Sequence, residues 1–128
     1  MNISSDIYTA VSEKLCELGG IDTIGVVSEP QKTAISYSGG KAIRKYFDGT
    51  RKLALLFKIT GMDTVSQQEQ LIKRLCGIGE RLTSSKPVIN GITQAVVRIT
   101  SPPAPTVRNE QHWIYSMSIE IIFYRKDR

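Results

Sequence analysis

The chain has 128 residues, 41% of them hydrophobic, with 17 Lys and Arg against 12 Asp and Glu for a formal charge of +5, one His and two Cys. That length predicts one domain over residues 1–128, able to bury roughly two-thirds of its unfolded surface without a disulfide or metal staple. No apolar run approaches the roughly 18–20 residues that cross a bilayer, and the opening MNISSDIYTA lacks a basic leader followed by an apolar run, so an intracellular product with no membrane partner is expected.

A first helix is predicted over Ser4–Leu18, where Ile7, Val11, Leu15 and Leu18 recur at helical spacing and Gly19-Gly20 supplies a stop. Ile24–Val27 reads as a short strand before the Glu29-Pro30 break, and Thr33–Tyr37 as a second strand or irregular edge. Ser38-Gly39-Gly40 reads as a turn, since the further glycine, Lys and Ser/Thr of a phosphate loop are missing.

The stretch Lys41–Leu82 organises the middle of the chain. Ile43–Phe47 and Arg51–Thr60 form a predicted hairpin around Asp48-Gly49, a pair suited to a tight turn that needs positive φ. Leu53, Leu55, Phe57 and Ile59 alternate with Ala54, Leu56, Lys58 and Thr60, the period of a strand. Gly61 closes the hairpin in this scheme, and Thr64 and Gln67 fit a capping box at the start of a helix over Val65–Leu82. Leu71, Leu75, Ile78 and Leu82 form its apolar stripe. Gly77 and Gly79 inside it cost about 1 kcal/mol each relative to Ala, which points to close packing on the sheet, early fraying, or close approach of a neighbouring subunit. Cys16 and Cys76 each fall in a predicted helix and read as small buried hydrophobes, although spacing alone does not decide a disulfide.

After a connector over Thr83–Gly91, Thr93–Thr100 is a predicted strand. The clearest strand is the last, in which Trp113, Tyr115, Met117, Ile119, Ile121 and Phe123 alternate with more polar positions. Between these strands Ser101–Gln111 reads as a long loop stiffened by Pro102, Pro103 and Pro105 and suited to reach a partner. The predicted architecture is α+β, a mainly antiparallel β-sheet with two helices packed on one face.

Catalytic chemistry is not visible. His112 has no cysteine or acidic cluster at a spacing that completes a zinc site, and Asp48, Asp63, Glu69 and Glu80 read as turn, cap and solvent-face residues. No Rossmann fingerprint, Walker motif or nucleophile elbow occurs, so no enzyme and no cofactor are expected. Arg44, Lys45, Arg51 and Lys52 flank the hairpin turn beside Tyr46 and Phe47, where charge guards a sheet edge against aggregation or binds a protein partner. The same interleaving also suits a small basic nucleic-acid-binding module.

Ser38-Gly39-Gly40, then Arg44-Lys45-Tyr46-Phe47-Asp48-Gly49-Thr50, then Leu55-Leu56-Phe57 resembles the minor capsid proteins of tailed bacteriophages and prophages. The order of helix, strand, Pro-containing segment and aromatic-rich final strand extends the resemblance over most of the chain, toward tail terminators and head–tail joining proteins. It implies a virion subunit in a homo-oligomeric ring, a hexamer, joining the tail tube to the head connector, with weak non-specific contact to DNA. Under that resemblance Arg44, Lys45, Tyr46, Asp48, Gly49, Arg51 and Lys52 on the hairpin, and Pro102, Pro103, Pro105, Arg108 and His112 on the Pro-rich segment, are the candidate subunit and partner contacts.

Overall fold

The computed structural model describes residues 5–27, 29–89, 92–108 and 110–126. Helix α1 (Ser5–Gly19) buries Val11 and Leu15 fully, with Ile7 and Leu18 packed beside them. It ends as the sequence predicts: Gly20 takes φ +69°, and the Ile21 amide donates back to the Cys16 carbonyl at 3.0 Å, the bond that closes such a helix end. Strand β1 is only Thr23–Ile24, shorter than predicted, and pairs in parallel with Ala34 and Ile35.

Strand β2 (Lys32–Lys45) runs straight through Ser38-Gly39-Gly40. The expected turn is therefore absent. Its neighbour β3 (Thr50–Thr64) offers a continuous antiparallel partner, and the small residues are absorbed as register shifts at Tyr37/Gly39 and Ala42/Arg44. Long-range pairing outweighs local turn preference here.

The Asp48-Gly49 turn is present as predicted. Gly49 adopts φ +88°, its amide donates to the Tyr46 carbonyl at 3.1 Å, and the Thr50 amide donates to Asp48 Oδ1 at 2.9 Å. Gly61 does not close the hairpin; it lies inside β3 under the second helix, where a Cβ would stand 2.7 Å from Leu71 Cδ1.

A 3-10 turn over Val65–Gln67 leads into helix α2 (Gln68–Ser84). The capping box does not form. Thr64 and Gln67 make no side-chain cap bond, and the Thr64 hydroxyl meets Ser66 Oγ at 3.3 Å instead. Buried Asp63 anchors this entry, accepting the Thr64 amide at 2.8 Å and pairing with Arg74 at 3.3 Å. The stripe Leu71, Leu75, Ile78 and Leu82 is buried as the spacing predicts. Gly79 takes the close-packing explanation, since a Cβ there would lie 2.8 Å from Ile99 Cδ1 and 3.6 Å from Met117 Cε. The second cysteine departs from expectation: Cys76 is exposed and Cys16 partly buried, both as free thiols.

Strands β4 (Thr93–Arg108) and β5 (His112–Lys126) form the second hairpin. The predicted loop over Ser101–Gln111 is mostly strand, because β4 stays paired with β5 as far as Arg108 opposite Trp113. The sheet order β1-β2-β3-β5-β4 puts β4 on an edge, where the missing proline N–H groups cost no inner ladder. Register shifts at Ile99/Ser101, Ser101/Ala104 and Pro105/Val107 absorb Pro102, Pro103 and Pro105.

The fold is α+β, a five-stranded, mainly antiparallel sheet with both helices on one face. Leu55, Phe57 and Ile59 of β3 and Met117, Ile119 and Ile121 of β5 meet Leu75 and Ile78 of α2 and Leu15 of α1 in one core. Arg81 ties the helices together by donating from Nε and Nη2 to the Gly19 carbonyl at 3.1 and 2.8 Å.

Candidate functional site

Strand alternation divides the sheet into a helix-covered face and an open one. On the open face Leu56, Met62, Ile114 and Ile122 are half-buried, and Val96 and Val107 are exposed. At its centre Glu120 is 95% covered and accepts from Arg98 Nε at 2.7 Å, its cross-strand partner, whose side chain is 64% exposed. Removing the guanidinium strands a carboxylate that water reaches poorly, so Arg98→Ala is expected to cost about 1–2 kcal/mol, above a surface ion pair and below a fully buried one. Urea titration reads that loss, and a variant within ~0.3 kcal/mol of the parent would show the pair to be incidental.

The candidate contacts fall in two separate regions of this sheet. Arg44 and Lys45 end β2, Tyr46, Asp48 and Gly49 make the turn, and Arg51 and Lys52 open β3. Pro102, Pro103, Pro105 and Arg108 lie along the far half of β4, and His112 opens β5 opposite Thr64. Arg108, opposite Trp113, lies 11 residues of β5 from Tyr124, the partner of Lys52, on the order of 35 Å at the ordinary strand rise, whereas Pro102 and Pro103, between Ser101 opposite Ser118 and Ala104 opposite Ser116, lie mid-sheet, only about 20–25 Å away. At the far end Arg108 stacks over the Trp113 ring at 5.0 Å, and the Val65 amide donates to the Gln111 carbonyl at 3.0 Å.

The hairpin end gains residues the sequence did not connect to it. Register sets Arg51 opposite both Lys45 and Arg125, and Lys52 opposite both Arg44 and Tyr124. Arg44 sits 5.4 Å from the Tyr46 ring centre and Lys52 Nζ 5.8 Å from that of Tyr124, with the two tyrosines 6.2 Å apart. Beside them an open groove of about 570 Å³ runs between Tyr46, Phe47, Thr93 and Tyr124. The Phe47 side chain is fully exposed at its rim. The alternation of β5 placed Tyr124 on the open face, but only the β3–β5 register shows that it meets Lys52.

Burial, with smaller contributions from Asp22 and Glu13, raises the Cys16 thiol above its ordinary pKa, the opposite of an activated nucleophile. Among the described residues no group of three or more His, Cys, Asp or Glu could hold a metal ion, and no helix is long and apolar enough to cross a membrane. The groups brought together at the hairpin end are cations and aromatic rings beside an open groove.

No protein-family model and no curated protein matches the sequence. Among solved structures, the chain is similar to one in the virion of a native gene transfer agent particle, with 11% identity and a TM-score of 0.64. The match covers 94% of this chain and 99% of that one, so the two share the fold along almost their whole lengths.

Proposed function

We propose that this chain is a structural subunit of a phage-like particle, acting as a tail terminator or head–tail joining protein. The observation that carries this function is the end-to-end fold likeness to a chain of a gene transfer agent virion, at a TM-score of 0.64. In this role the protein forms a closed homo-oligomeric ring, a hexamer, at the end of a tail tube and meets the tube and the head connector in the virion.

The surfaces fit such a role. A ring grows by heterologous contacts, in which one patch of a subunit meets a different patch of its neighbour. The hairpin tip and the Pro-bearing half of β4 are two such patches on one rigid sheet. The edges also differ. β1 pairs with β2 only at Ala34 and Ile35, leaving β2 from Ser36 onward without an outer strand among the described residues, whereas prolines blunt the β4 edge.

Light scattering over a concentration series, repeated with purified tail tubes and paired with electron microscopy, tests the proposal. Closed rings with a central hole, alone or seated on tube ends, are the expected result. A strict monomer under both conditions would rule the role out.

A further inference from the structure

The hairpin end of the sheet arranges like charges against the grain of sheet formation. Arg51 faces Lys45 on one side and Arg125 on the other, and in the next row Lys52 faces Arg44. Like charges directly opposite each other weaken strand pairing. Residues 41–52 contain five cations and a single acid, Asp48, a local formal charge of +4 from five positive and one negative side chains. Adjacent strands stand roughly 4.8 Å apart and successive residues point to opposite faces, so both faces of this end are positive.

We infer that this end of the sheet binds nucleic acid without regard to base sequence, the cation rows holding the phosphodiester backbone and the aromatic groove receiving a base. An acidic protein surface would satisfy the cations equally well but carries a planar group only at its aromatic or Arg positions, whereas every nucleotide carries one beside its phosphate. Tyr46 and Tyr124 form one wall of the open groove, and Phe47 stands fully exposed at its rim, where an apolar ring has no packing role in the isolated chain. Stacking on aromatic rings beside a basic track is the general means of holding unpaired bases, so single strands should bind more tightly than duplex. This binding does not depend on ring formation and is expected of the monomer.

The probe is a labelled mixed-sequence single-stranded oligonucleotide of about 20 nucleotides, read by fluorescence anisotropy against the full chain, with duplex of the same sequence and polyglutamate as competitors. With about four phosphates neutralised, affinity should fall about 20-fold between roughly 50 and 150 mM salt. Arg44 and Lys45 are exposed, so R44S/K45S keeps the fold while lowering the salt slope by about 1.4. F47S should weaken single-strand binding at least about fivefold and leave the salt slope unchanged. The control K73S/K86S removes the same charge from exposed positions elsewhere and should bind as the parent does. Displacement by polyglutamate as effective as by oligonucleotide would overturn the inference in favour of an acidic protein partner. Equal losses from R44S/K45S and K73S/K86S would overturn it in favour of net charge alone.

Discussion

Phe57→Ala is expected to lose about 3–5 kcal/mol, a large share of the roughly 5–15 kcal/mol that holds a domain of this kind together. Phe57 is fully buried on the central strand β3, paired in register with Tyr37 of β2 and Ile119 of β5. Its ring meets Tyr37 edge-on at 5.7 Å, and Tyr37 in turn lies 4.3 Å from Tyr8 of α1, so one side chain links the sheet to the first helix. Truncation removes that contact and leaves a cavity that paired strands on both sides cannot collapse into. In urea the midpoint should drop sharply while the slope is retained; a loss below ~1.5 kcal/mol would mean that the site relaxes or that the packing is misplaced.

Gly61→Ala is expected to lose about 2–3 kcal/mol although it adds only a methyl group. That methyl would stand 2.7 Å from Leu71 Cδ1 and 3.4 Å from Leu75 Cδ2, and both leucines are fully buried, so neither can swing aside. Helix α2 would have to lift off β3, loosening the layer that covers the sheet. Gly77→Ala makes the contrast. Its methyl would meet only Arg81 Nη1 at 3.3 Å, the one guanidinium nitrogen not bonded to the Gly19 carbonyl, so a shift of a few tenths of an ångström offsets part of the helix preference for Ala and leaves a gain of up to about 0.5 kcal/mol. Thermal melts of the two variants should move in opposite directions. A stabilised Gly61→Ala would contradict the close helix–sheet approach.

The elements that were legible in the sequence are those whose signal is local and repeated. The period-two runs of Leu53–Ile59 and Trp113–Phe123, the stripe Leu71–Leu82 and the Asp48-Gly49 turn all stand where the pattern puts them. The misread segments depend on position in the sheet. Pro102, Pro103 and Pro105 read as a loop because prolines break a ladder, but an edge strand has no outer ladder to break, and edge status follows from strand order, not from local composition. Ser38-Gly39-Gly40 reads as a turn until β3 supplies a partner on one side. Gly61 reads as a terminator because its reason for being glycine is a helix ten residues further on.

The hairpin cations stand out in the sequence as residues and not as a surface. Arg44, Lys45, Arg51 and Lys52 stand out from their spacing around the turn, but Tyr124 and Arg125 join them only through the β3–β5 register. His112 and Arg108 read from the sequence as part of a projecting Pro-rich segment, whereas the structure sets them on paired strands at the end of the sheet away from the hairpin. That register sets Arg108 and His112 apart from the hairpin cations.

The assignment to a phage-like particle is tested most directly by quantitative mass spectrometry of particles purified from the cells that encode this chain. The expected result is a small fixed number of copies per particle, retained through density-gradient purification and matching a single ring. Its absence from intact, tailed, DNA-filled particles would contradict the assignment.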